Sequence, residues 1–176
     1  NRKNILFLSR IHPKKGIEFL ITAWGKLAEK NPEWNLLIVG PKDDETYFQN
    51  LLKRIKKSNL EDRIIFKGML TGEQRINSFA ASNLYILPSH TENFGIAIAE
   101  AMAAKLPVIT TKGTPWQEII EYDAGWWVEL SQQNIDAALS EALATSDEVL
   151  EKKGLNGFDL VQKYEWKYQA KKMKEV

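Results

Sequence analysis

Apolar and polar positions along this chain fall into short alternating blocks. Residues 4–9, NILFLS, form a brief apolar run, and a polar loop from Arg10 to Lys15 follows. From Gly16 to about Lys30 apolar residues recur with helical spacing, which predicts a helix with Phe19, Leu20, Ala23, Trp24 and Leu27 on its inner face. Residues 34–39, WNLLIV, read as a second strand ending at Gly40-Pro41. An amphipathic helix is predicted over about 45–58, with Phe48, Leu51, Leu52 and Ile55 inward. Residues 63–67, 84–87, 107–111 and 125–128 read as four further strands. Helices are predicted between them over about 72–81, 95–104 and 115–121. From Gln132 the chain reads as helical, with a break expected near Gly154 to Gly157, where two helix-weakening glycines lie close together.

Strands that alternate with helices, and that are short and apolar between turn residues, define an α/β fold. The expectation is a Rossmann-like parallel sheet of about six strands with helices on both faces, formed as a single domain over residues 1–176. In such sheets ligands bind outside the carboxyl ends of the strands. Arg10, Gly40, Gly68 and the segment Pro88 to Gly95 all fall at those ends.

One of these ends carries the most informative stretch, PSHTENFGIAIAEAMAA at residues 88–104. Of residues 95–104 only Glu100 is polar. A helix apolar all round is expected to be buried, and a buried carboxylate needs a hydrogen-bond partner. A ligand hydroxyl would serve Glu100; a helix face open to water is the alternative. Glu92 lies in the loop before the helix, as a site residue or as a solvated loop acid. A glycine at a helix start, here Gly95, lets a ligand approach free backbone N–H groups that favour negative charge. The ligand these features suit is polyhydroxylated and anionic, as a nucleotide sugar is.

Composition narrows the partners. A net charge of +1 supplies no general attraction to nucleic acid or to an anionic membrane. The lysine clusters at Lys14–Lys15, Lys53 to Lys57 and Lys171 to Lys174 read as solvated faces. The absence of cysteine excludes disulfides, thiolate metal sites and a cysteine nucleophile, and suits a reducing, cytoplasmic compartment. No run approaches the ~20 apolar residues of a membrane-spanning helix. The chain enters a strand almost at once and stops within a helical pattern, as a domain cut from a longer protein would.

Two cations, Arg10 and Lys15, beside a helix start at Gly16 fit a diphosphate clamp, although the same residues also suit a polar strand-to-helix loop. Thr114 and Pro115 read as a helix start, with Glu118 as a more distant candidate for the site. His12 and His90 lack ligand-like spacing, and Asp43-Asp44 read as solvated rather than metal-binding, so no metal site is expected. Residues 39–44, VGPKDD, lack the glycine pattern of a dinucleotide fingerprint, and no phosphate-loop or nucleophile-elbow motif is present. The six tryptophans fall mostly at core-like positions, with Trp126 and Trp127 on opposite strand faces.

Arg10 to Lys15-Gly16, Pro88-Ser89 through Glu92-Asn93-Phe94-Gly95 to Glu100-Ala101-Met102, and Pro107-Val108-Ile109 together resemble the C-terminal domain of family 4 retaining glycosyltransferases (glycosyl transferases group 1), one half of the GT-B fold. The resemblance runs from about Asn4 to Glu129 and more weakly to the end, and Glu92 and Glu100 match the family's E-x₇-E spacing. It implies transfer of a sugar, with retention and without a metal, from a nucleoside diphosphate sugar to a glycan or glycolipid acceptor, as in building a surface glycan. No cofactor is implied beyond that substrate. By resemblance, Arg10 and Lys15 bind the donor diphosphate. Glu92 is the catalytic-site glutamate, meeting the donor sugar with the backbone of Asn93, Phe94, Gly95 and Ile96. Glu100 holds the ribose hydroxyls. The partner implied is an N-terminal acceptor-binding domain, and the location is the cytoplasm or the inner face of the membrane. Pro41-Lys42 stands where family members often carry a second glycine after the one at Gly40. A GT-B-like nucleotide-sugar epimerase and a noncatalytic nucleotide-binding module remain as alternatives.

Overall fold

The structure is a computed structural model that describes residues 2–174, with side chains described to Tyr164. The side chains of Trp166 and of the lysines at 171, 172 and 174 lie outside the described residues. The elements run β1 (Lys3–Leu8), a 3-10 turn (Pro13–Lys15), α1 (Ile17–Leu27), β2 (Trp34–Val39), α2 (Glu45–Lys57), β3 (Ile64–Gly68) and α3 (Gly72–Ala80). They continue with β4 (Leu84–Leu87), α4 (Ile96–Ala103), β5 (Val108–Thr111), α5 (Glu118–Glu121), β6 (Gly125–Val128), α6 (Gln132–Ala144) and α7 (Asp147–Lys174).

The strands form one parallel sheet in the order β3-β2-β1-β4-β5-β6. β2, β4 and β5 are buried along their whole length, which is why they read as continuous apolar runs rather than alternating ones. Helices cover both faces of the sheet, α1 packing on α2 and α6, and α4 on α7. Side chains of Asp44 and Ser131 cap α2 and α6 by accepting from the third backbone N–H that follows each. Among the described residues no helix is long and apolar enough to cross a membrane.

Three expectations about elements are corrected. The helix break near Gly154 to Gly157 does not occur, because α7 runs unbroken through both glycines. The break falls earlier, at Thr145 and Ser146, between α6 and α7. The glycines serve close packing instead. A Cβ on Gly154 would lie 2.0 Å from the Lys105 carbonyl oxygen, and one on Gly157 would lie 3.1 Å from Met102 Cγ. Second, the helix expected over 115–121 shortens to Glu118–Glu121. Thr114 does not cap it; its hydroxyl donates back to the Thr111 carbonyl. Third, α4 is not buried all round, since Ile96 is 68% exposed.

Candidate functional site

The sheet order reverses direction between β1 and β4, and this is the switch point at which open α/β sheets bind ligands. A cleft of about 770 Å³ lies there, against the carboxyl ends of β1, β2 and β4 and the start of α4. Arg10, Lys15, Glu92, Asn93, Phe94, Gly95 and Ile96 line it, together with Lys14, Gly40, Pro41, Met69, Leu70 and Arg75.

The loop after β1 is held by short-range bonds. His12 Nδ1 accepts from the Lys14 N–H, which closes the 3-10 turn and gives His12 a capping role. Gly16 then turns left-handed (φ 66°), and a Cβ there would sit 2.1 Å from the Pro88 carbonyl oxygen. Only glycine permits both the turn and this approach of the β1 loop to the β4 loop. The β2 loop zips alongside: the Ile11 N–H donates to the Pro41 carbonyl (2.8 Å), and the Asp43 N–H to the Ile11 carbonyl (3.3 Å).

The loop after β4 is tied on two sides. The His90 N–H donates to the Lys14 carbonyl (2.9 Å), and the Glu92 N–H to the Gly113 carbonyl (2.9 Å). Buried Ser89 donates through its hydroxyl to the Lys14 and Thr91 carbonyls, and Thr111 donates to the Ser89 carbonyl. At the end of this loop Gly95 is left-handed (φ 77°) and starts α4 with no side-chain cap. The N–H groups of a first helical turn have no intrahelical acceptors, and Gly95, Ile96 and Ala97 border the cleft. The buried Trp116 indole N–H donates to the Phe94 carbonyl (2.5 Å), fixing the peptide just before this helix start. The Phe94 ring, 42% exposed, packs on Trp116 and Tyr164.

Three cations of the site, Lys15, Arg10 and Arg75, sit in ion pairs. Lys15 pairs with Glu92, with side chains only 12% and 14% exposed, so Lys15 is not the solvated lysine expected from its cluster. Arg10 donates to the exposed Asp43 (2.7 Å), a partner that the reading of Asp43 as a solvated loop acid did not include. Glu100 is half-exposed and takes the guanidinium of Arg75, on α3, rather than awaiting a ligand as its sole partner. Beneath the two glutamates lies Tyr85, fully buried, its hydroxyl donating to the Leu8 carbonyl (3.1 Å). Burial, and then the charges of Glu92 and Glu100, raise its phenol well above the ordinary tyrosine range.

The sequence reading missed Arg75, Met69 and Leu70 as lining of this cleft. None sits in a local motif; they reach the cleft because β2 and β3 lie beside β1 in the sheet. Glu118 does not line the cleft. Its carboxylate instead accepts from the Tyr164 hydroxyl. Among the described residues no group of three or more His, Asp or Glu side chains is arranged to hold a metal.

The architecture defines a Rossmann-like domain of the GT-B type with its cleft at the switch point. The sequence profile of the family described as Glycosyl transferases group 1 matches residues 1–159, and the chain belongs to that family. It is 32% identical over 139 residues to an uncharacterized glycosyltransferase of Haemophilus influenzae, covering 76% of this chain and 36% of that one. Among solved structures it resembles the C-terminal domain of a glycosyl transferase group 1 family protein from Francisella tularensis. That likeness has a TM-score of 0.82 at 32% identity, over 92% of this chain and 85% of that one. An Anabaena protein solved in complex with UDP and glucose shares the fold, with a TM-score of 0.83 at 21% identity over 100% of this chain and 49% of that one. The chain thus spans well under half the length of the curated relatives it matches first.

Proposed function

We propose that this chain is the donor-binding half of a retaining glycosyltransferase that moves a sugar from a nucleoside diphosphate sugar to a glycan or glycoconjugate. The observation that carries the reading is the convergence of Arg10, Lys15, Glu92 and the α4 N-terminus on one cleft at the switch point, with Glu100 paired to the cleft-lining Arg75. In this reading the diphosphate meets Arg10, Lys15 and the free N–H groups at Gly95 to Ala97. Ion pairing does not exhaust the cations. A lysine ammonium has three donors and a guanidinium five, so Lys15 and Arg10 keep donors for phosphate while still bonded to Glu92 and Asp43.

Catalysis follows from charge. As the bond between the anomeric carbon and the phosphate oxygen breaks, negative charge builds on the leaving diphosphate. Fixed cations and helix N–H groups then bind the transition state better than the ground state. In this reading Glu92, held by Lys15 and by its own N–H on Gly113, accepts hydrogen bonds from hydroxyls of the donor sugar. Glu100 accepts from the ribose hydroxyls. The acceptor would be carried by an N-terminal domain of the same enzyme, and no general base is assigned on this half. The Anabaena protein's complex with UDP and glucose is in keeping with this substrate class.

Calorimetric titration with UDP, GDP and ADP, each with and without a chelator, tests the binding claim. Binding of at least one nucleotide should survive the chelator. Loss of all binding in chelator would overturn the metal-independent reading, and no binding in either condition would overturn the donor-site assignment.

A further inference from the structure

The Arg75–Glu100 pair joins two helices, α3 and α4, and Arg75, which belongs to none of the motifs, borders the cleft. Its guanidinium meets the carboxylate side-on with two bonds. Nε lies 3.2 Å from Oε1, and Nη2 bonds Oε2. The two side chains are 32% and 36% exposed. A bidentate fork of this kind fixes the plane of a carboxylate, which a single ammonium does not.

Lone-pair counting gives the pair a use. An ionised carboxylate offers about four acceptor sites over its two oxygens. Arg75 occupies one on each oxygen and leaves one on each. Two neighbouring hydroxyls, as in the 2′,3′-diol of a ribose, donate two hydrogen bonds to two oxygens. The remaining capacity of Glu100 matches that demand. Arg75 also offsets the charge of Glu100, which would otherwise repel a nearby diphosphate.

Resting on the nucleotide-site reading above, we propose that Arg75 is a positioning residue for ribose recognition, holding Glu100 flat with one acceptor site per oxygen open to a vicinal diol. It acts through Glu100 rather than by touching the reacting atoms, and it stays paired when the nucleotide binds.

The test compares the tightest binder among UDP, GDP and ADP with its 2′,3′-dideoxy counterpart, by calorimetry, in the parent chain and in Arg75→Met and Arg75→Lys. The readout is the ratio of the two affinities within each protein, which does not depend on the fraction folded. In Arg75→Met the ratio should fall by about tenfold, the scale of one hydrogen bond to a charged group. Arg75→Lys should recover much of the overall affinity without the ratio, because it restores charge and not the fork. An unchanged ratio in Arg75→Met, tighter ribonucleotide binding by that variant, or full recovery of the ratio by lysine would each overturn the proposal. If the parent binds none of the three nucleotides, the donor-site reading fails and this one with it. If the parent binds and discriminates but the variants do so equally well, only the role of Arg75 fails.

Discussion

Glu100 illustrates how a residue's chemistry depends on its neighbours. On a helix otherwise free of polar residues it reads as a carboxylate in search of a partner, and Arg75 is the partner in this structure. The proposed ribose contact therefore has to show as a difference between ligands. Glu100→Gln should weaken binding of a nucleoside diphosphate by about 1.5–3 kcal/mol, the range for a hydrogen bond to a charged group. The 2′,3′-dideoxy nucleotide should bind the variant and the parent about equally, or slightly favour the variant, because the substitution releases the charge of Arg75. Titration calorimetry with both ligands reads this directly. A variant that still prefers the ribonucleotide as strongly as the parent would remove Glu100 from the ribose site. Lys15 and Glu92 make the same point: each was legible as a site residue, but their mutual pairing depends on the β1 and β4 loops meeting at Gly16 and Pro88.

At the scale of elements, the most instructive case is α7. Glycine weakens a helix interior by about 0.8–1.0 kcal/mol relative to alanine, so Gly154 and Gly157 read as a break. They are retained because α7 approaches the turn after α4 too closely for a side chain at Gly154. The two effects predict opposite signs for Gly154→Ala. Propensity alone would stabilise the protein, whereas a methyl group forced against the Lys105 carbonyl should destabilise it by about 1–3 kcal/mol, as overpacking does. Packing is expected to win, since the opposing atom is backbone and cannot swing aside. A urea unfolding curve with a lower midpoint and unchanged slope would bear this out; a higher midpoint would show that α7 has room there.

For the whole molecule, the proposal of a donor-binding half raises the question of what such a domain can do by itself. Holding donor and acceptor in near-attack geometry can supply ~7–11 kcal/mol of a barrier. Every residue proposed to touch the donor lies in this chain, whereas nothing proposed here holds the acceptor. The isolated chain should therefore bind nucleotide but transfer sugar at a small fraction of the rate of a full-length enzyme containing it. A transfer assay of both proteins, with the same donor and acceptor, measures the difference. Comparable turnover would mean that the acceptor also binds on this domain, and the two-domain account would have to be abandoned.

Periodicity and run length by themselves determined the α/β class, the six strands and most of the helices, because strand and helix burial write different spacings into the chain. The residues from Glu92 to Glu100 were legible as a candidate site for a similar reason: they are local, and a glycine at a helix start and a lone acid on an apolar helix are visible in one dimension. Tertiary structure alone decided the partners. Asp43, Arg75 and Trp116 carry no local signature, and each reaches its site partner across a sequence separation of 22 to 33 residues. Sheet order brings these distant loops to one switch point, and sheet order depends on which strands pair. Close packing likewise turned two helix-weakening glycines into contact points, since their role lies in the backbone opposite them and not in their own sequence.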